Sequence, residues 1–161
     1  MRIYYTTDIH GSTLCFKKFV NAGKFYSADV AIVGGDITGK LIIPVVEKAD
    51  GTHTCKHQGT IYDHKTKDEV TQLTKKIEDQ GYYPYITNEK EMEDLGKGKS
   101  KVDELFTKLM LKRIEQWVEL ADERLKEKSF DCYFQPGNDD RYEIDPILAR
   151  SKTMINPEGR V

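Results

Sequence analysis

Ile3-Tyr4-Tyr5-Thr6-Thr7-Asp8-Ile9-His10-Gly11-Ser12 and Ala28-Asp29-Val30-Ala31-Ile32-Val33-Gly34-Gly35-Asp36 decide how this chain folds. Ile3 to Thr7 is rich in aromatic and β-branched residues, which suits a strand. Beyond Gly11-Ser12, the residues Leu14, Cys15, Phe19 and Val20 fall at helical spacing, with Ser12 as an N-cap. Ala28 to Val33 reads as a second, buried strand broken by Gly34-Gly35. Strand, helix and strand make a βαβ unit, and such units build parallel sheets. Phe130 to Phe134 reads as a third strand, turned by Pro136-Gly137 into Asn138-Asp139-Asp140. Each strand thus ends in residues that can ligate a cation, and open α/β sheets gather their ligands at the carboxyl ends of strands.

In an extended segment residues two apart point the same way, so Asp8 and His10 can hold one ion from one strand end. Asp36 offers two carboxylate oxygens that can bridge two cations. Asn138 adds a neutral oxygen, which leaves positive charge for an anionic substrate. Any one of these residues is ordinary turn or cap chemistry. The set, in order and each behind a strand, is more specific than its members.

These blocks resemble the calcineurin-like metallophosphoesterase superfamily, whose pattern runs D-x-H, G-D, G-N-H-D/E, a later His and G-H-x-H. Three of the five are present, spanning Asp8 to Asp140. The GNDD spelling and the insertion containing Gly81-Tyr82-Tyr83-Pro84-Tyr85 look like the archaeal and bacterial phosphoesterases of the cyclic-nucleotide-phosphodiesterase-like branch. The resemblance implies two divalent ions (Mn, Fe, Zn or Ni), with Asp8 and His10 on the first, Asp36 bridging and Asn138 on the second. It implies hydrolysis of a phosphodiester or phosphomonoester, in a small molecule or nucleotide, by a metal-bound hydroxide attacking in line. The ions and the Asn138 amide would absorb charge on the phosphoryl oxygens. Arg141 can clamp a phosphate oxygen or serve in an ion pair.

Two departures bear on activity. Asp139 stands where the family places a histidine that protonates the leaving oxygen. A carboxyl of reference pKa about 3.9 is ionised near neutrality, so substrates whose leaving group needs little protonation, such as activated aryl diesters, are expected. The family's remaining histidines follow the third block, whereas His53, His57 and His64 precede it. Weak metal binding and weak or no hydrolysis by this chain alone are therefore expected. Asn156-Pro157-Glu158-Gly159 is turn chemistry and Arg160-Val161 reads as the start of a returning strand, which suggests a C-terminally truncated domain.

Between the second and third blocks, Leu41 to Val46 is apolar and extended, turns at Asp50-Gly51, and returns through Thr52–Gln58 and Thr60–Tyr62, a β-hairpin in which Pro44 favours an edge. Asp68 to Gln80 carries Val70, Leu73 and Ile77 at helical spacing and stops at Gly81. Glu89 to Leu95 suits a short helix. Lys101 to Lys128 is the longest periodic segment, with Val102, Leu105, Phe106, Leu109, Ile114, Trp117, Ala121 and Leu125 as one stripe. Ile144 to Arg150 suits a short helix and Thr153 to Ile155 a short strand.

With 161 residues, 38% of them hydrophobic, the chain suits a single domain over 1–161, with 41–99 as an insertion. Lys+Arg 25 against Asp+Glu 27 gives no basic field for nucleic acid or an anionic membrane. Cys15, Cys55 and Cys132 are odd in number and far apart, which points to a reducing compartment, the cytoplasm. The N-terminus reaches Asp8 too soon for a signal peptide, and no apolar run nears spanning length. An incomplete sheet would leave an unpaired edge, so self-association is expected to be possible there.

Three rival sites read more blandly. His53, Cys55 and His57 share a strand face but are strung out along it, so a polar exposed hairpin face is expected rather than a zinc centre. Gly34 to Lys40 begins like a phosphate-binding P-loop, but Leu41 stands where Ser or Thr would hold Mg2+, and a strand follows where that loop needs a helix. Tyr62, Tyr82, Tyr83 and Tyr85 are read as closing a loop over the core. The expected fold is α/β, the amino-terminal part of a metallophosphoesterase-type αββα sandwich with an inserted hairpin and helices. The alternative to a hydrolase is a non-catalytic fragment or binding module with the same half-fold, and less so a nucleotide-binding P-loop protein.

Overall fold

Residues 1–158 are described by a computed structural model of the chain. Strands β1 (Ile3–Thr6), β2 (Val30–Gly34) and β7 (Asp131–Gln135) form an all-parallel sheet with β2 in the middle. Its register runs Tyr4 to Ala31 to Cys132 and Thr6 to Val33 to Phe134 across the three strands. This is the sheet expected from the sequence, and its carboxyl edge carries all three blocks.

Helices α1 (Thr13–Phe25) and α4 (Lys99–Arg124) cover one face of this sheet. Ser12 caps α1 by accepting from the Cys15 N–H at 3.1 Å, and its own hydroxyl donates to Asp79 O at 2.6 Å. Phe16, Phe19 and Val20 from α1 and Met110, Ile114, Trp117 and Ala121 from α4 meet Ala31, Val33, Cys132 and Phe134 of the sheet. Phe16 stacks on Trp117 at 4.4 Å, and Phe134 meets both edge-on. Each such side chain stabilises the fold by roughly 1.5–3 kcal/mol through burial. Ile3 and Tyr5 alternate onto the other face and are 52% and 61% exposed.

The insertion is more than a hairpin. Strands β3 (Ile42–Glu47), β4 (His53–His57) and β5 (Thr60–His64) form an antiparallel meander, and β6 (Tyr83–Asn88) pairs parallel with β3, in the order β5-β4-β3-β6. The Gly81–Tyr85 stretch expected to be a loop therefore starts an edge strand. Pro44 lies in an interior strand, but β4 pairs only with Val46 and Glu47, so no ladder bond from β4 is lost at the proline. Helix α2 (Lys67–Asp79) opens on a capping box of Thr66 and Glu69 and packs Val70, Leu73 and Ile77 on Val45 and Cys55.

Helix α3 (Glu89–Gly96), capped by Asn88, precedes α4. Past β7 the expected helix over 144–150 is a 3-10 turn at Tyr142–Ile144 running into a short α5 (Asp145–Leu148), and the expected strand reduces to one bridge, Tyr133 with Ile155. Arg160-Val161 lies outside the described residues. No helix among the described residues is long and apolar enough to cross a membrane.

Candidate metal centre

The chain leaves β1 and β2 in two loops that pair with each other. Asp8 N–H donates to Gly35 O at 3.0 Å, His10 N–H to Asp36 O at 3.0 Å and Gly11 N–H to Ile37 O at 2.8 Å. The backbone is not extended there: Asp8, His10 and Asp36 have φ of 54°, 39° and 49°. Asp8 and His10 nonetheless face outward together, because Ile9 between them turns into the core at 5% exposure. Among the described residues five non-glycine positions have positive φ, and three of them are these candidate ligands. Left-handed backbone costs an L-residue about 1–2 kcal/mol, least for Asp and Asn, and such strain concentrates at functional sites.

One ligand atom from each of Asp8, His10 and Asp36 lies within 4.8 Å of the others. His10 Nε2 stands 3.7 Å from Asp8 Oδ1, and His10 Nδ1 is buried without a partner. Neither ring nitrogen is committed to a hydrogen bond among the described residues, so the imidazole is free to ligate. Two carboxylates and an imidazole are a fitting donor set for Mn, Fe, Zn or Ni. Gly137 permits the third block to approach, since a β-carbon there would run into Asp36 Oδ1 and its backbone nitrogen.

The third block divides its labour in a way the sequence does not reveal. Asp140 is the structural member: Oδ2 accepts from the Gly137 N–H at 2.7 Å and the Ile37 N–H at 3.0 Å. Its Oδ1 accepts from the Thr38 N–H at 2.8 Å and the Thr38 hydroxyl at 2.6 Å. That clamp ties the loops after β2 and β7. Asp139 is exposed and pairs with Lys40, which holds its carboxyl below the usual range, and its N–H reaches Asp36 Oδ1 at 3.4 Å. Asn138 is exposed and lines a hollow with Gly34, Gln135 and Tyr142 beside the loop. Arg141 is engaged in an ion pair, with Nη2 at 2.6 Å from Asp103 and Nη1 at 2.8 Å from Thr107, its guanidinium over Phe106.

Two further residues hold the loops: Arg113, which carries no recognisable signal in the sequence, and Tyr83, which the sequence marks only as closing a loop over the core. Arg113, buried in α4, donates to Gly11 O and Thr13 Oγ1, both at 2.9 Å, and pairs with Glu78 at 3.0 Å. In a helix rich in Lys and Glu it reads as one more solvated cation. Tyr83 accepts the Gly39 N–H at 2.8 Å, and burial pushes its hydroxyl up to about 12.

The histidines of the insertion do not join this cluster. Cys55 and His57 are 2% and 3% exposed, so the face expected to be polar and solvated points inward beneath α2. His57 Nε2 bonds Gln80 Oε1 at 2.6 Å and its ring meets Tyr82 edge-on. His64 sits in β5 opposite His53, partly buried. Lys40 is followed by β3 rather than a helix, which removes the P-loop geometry. Searches of the chain against protein-family models, curated proteins and solved structures return no match.

Proposed function

We propose that the chain is a metallophosphoesterase-type domain that binds divalent metal through Asp8, His10 and Asp36, with Asn138 as a further oxygen ligand, and acts on phosphoesters. The observation that carries this reading is the convergence of two carboxylates and an imidazole, all on left-handed backbone, at the carboxyl ends of parallel strands. Bound divalent ions supply the positive charge that polarises a phosphoryl oxygen and activates water. The chain's own contribution is positional. The loop ladder and the Asp140 clamp fix the ligands, Gly137 keeps the third loop slim, and Lys40 brings a cation beside Asp36 through its pair with Asp139.

Activity of this chain by itself is proposed to be weak, because the ligand set holds one imidazole. The expected result is saturable but weak Mn2+ binding in titration calorimetry, weakened at least tenfold by Asp36→Asn, about 1.4 kcal/mol. Slow hydrolysis of bis-p-nitrophenyl phosphate should follow the same residue. Absence of saturable binding, or binding indifferent to Asp36→Asn, overturns the metal reading; tight uptake of two ions overturns the weakness. Self-association through the β1 edge is a further proposal, supported by the place of β1 at the end of the sheet with β2 as its one strand partner among the described residues, and tested by sizing at several concentrations.

A further inference from the structure

The first turns of α4 leave their apolar stripe uncovered. Val102 is 43% exposed and Leu105 and Phe106 are partly buried, whereas Met110, Ile114 and Trp117 of the same stripe are fully in the core. Together with the turn between α3 and α4, they wall two adjoining hollows. One, of about 450 Å³, is lined by Lys40, Lys99, Arg141 and a single carboxylate, Asp103, together with Leu95, Val102 and Phe106. The other, of about 230 Å³, has Ile42, Pro44, Tyr85, Met92 and Leu105 in its walls. Leu95, Gly96 and Val102 belong to both, so the two form one cleft with a cationic mouth and an apolar floor.

The mouth adjoins the candidate metal centre. Lys40 pairs with Asp139, whose N–H reaches Asp36, and Arg141 follows two residues later. Asp103 and Thr107 hold the Arg141 guanidinium over Phe106, its central carbon 4.8 Å from the ring centroid. Lys99 makes no ion pair among the described residues, which leaves its charge to a ligand. Taken together the two hollows fall within the range of small-molecule sites, and the ring of Tyr85 favours a flat partner. The ordering matters: Lys40 and Arg141 lie toward Asp36 through Asp139, and the walls of Ile42, Pro44 and Tyr85 lie further along β3 and β6. A ligand matching that order carries its anionic group at one end and an aromatic group at the other.

We infer that this cleft is the subsite for the organic group of the substrate, and that the group is an aryl ring whose phosphate extends past Lys40 toward Asp8, His10 and Asp36. The phosphate end rests on the metallophosphoesterase reading; the aryl end rests on the cleft alone. Val102, Phe106 and Lys99 are then specificity-determining residues, supplied by the insertion and the start of α4 rather than by the strand-end blocks.

The test separates the two ends. Binding of 1-naphthalenesulfonate, which carries no phosphate, is measured by calorimetry on the full chain in EDTA. Wild type and Asp36→Asn should both bind it, Val102→Trp should weaken binding at least tenfold by filling the cleft from an exposed position, and Lys99→Glu should weaken it severalfold. With Mn2+ present, KM for 1-naphthyl phosphate should rise in Val102→Trp while KM for methyl phosphate stays put. Failure of wild type to bind the sulfonate, or unchanged affinity in both Val102→Trp and Lys99→Glu, overturns the inference. Sulfonate binding that follows Val102 in a chain that takes up no Mn2+ supports the cleft and overturns the metal reading instead.

Discussion

Asp8, His10 and Asp36 stand on two loops, partly open to solvent, with their ligand atoms within 4.8 Å; His53, Cys55 and His57 stand on the single strand β4, with the last two buried. Both sets contain three side chains able to hold a metal. What separates them is the backbone. Alternate residues of a strand are spaced roughly 6.5–7 Å apart, so a third same-face residue lies too far from the first to share an ion. Left-handed turns at the three loop positions bend the chain enough to bring its donors together. The geometry that gathers three donors about one point therefore arises at the strand ends, while the same residue types inside a strand become packing material.

The largest expected effect comes from cutting the tie between the two regions. Arg113 reaches Gly11 in the loop after β1 and Glu78 at the end of α2, the helix over β4. Arg113→Met leaves the Gly11 carbonyl without its donor and Glu78 without its cation. Because Glu78 is 37% exposed, a loss near the low end for a broken buried pair, about 3 kcal/mol, is expected by urea denaturation. Mn2+ affinity should fall with it, whereas a stability loss with unchanged affinity would show that the loop holds its shape without the tie.

Tyr83 provides a second tie, from β6 to Gly39, and this one responds to pH. Burial is the main cause of its raised pKa of about 12; Asp140 raises it further, while Arg113 and the Gly39 hydrogen bond oppose the shift. A folded pKa above the unfolded value means that the stability is fully present below about pH 10 and is lost as pH rises through about 12. The difference is on the order of 2–3 kcal/mol. Cys132, pushed up to about 12 by its own burial, acts in the same direction from about pH 9. Melting measured between pH 8 and 11.5 should fall steeply in wild type and less steeply in Tyr83→Phe.

His57→Ala tests the comparison directly. It removes a buried ring and leaves Gln80 without its partner, so a loss of about 1–3 kcal/mol is expected with Mn2+ binding untouched. Asp36→Asn should do the reverse. If His57→Ala weakened Mn2+ binding, the two regions would not be independent and β4 would have to be counted in the metal site.

Which parts were legible follows from how local their signals are. β1, α1 and β2 are written in short patterns of alternation, capping and glycine breaks, and the parallel sheet follows from them. β6 was not legible because Gly81 and Pro84 punctuate it, and its pairing with β3 depends on a partner some forty residues earlier in the chain. The inward turn of Cys55 and His57 was hidden for a related reason, since a polar strand looks solvated until α2 is laid over it. Asp139 and Asp140 are chemically identical in the sequence. Only the placement of the Thr38 and Gly137 amides shows that the second is the clamp and the first is open to Lys40. Asp8, His10 and Asp36 were legible as a set of donors at strand ends, but Asp8 and His10 were expected on extended backbone, whereas all three sit at positive φ.

That geometry supplies the smallest effect and the sharpest one for the comparison. At φ 54°, Asp8 occupies backbone that glycine adopts freely, so Asp8→Gly relieves about 1 kcal/mol of strain. Glycine's greater freedom in the unfolded chain offsets about as much, roughly 0.5–1 kcal/mol. The melting temperature should therefore stay level or rise slightly while Mn2+ binding falls. A residue whose removal costs metal but not stability is held there against its conformational preference, which is the expectation for a ligand and not for a turn. A clear loss of stability in Asp8→Gly would instead make Asp8 a structural cap of the loop ladder, and would place it with His57 rather than with Asp36.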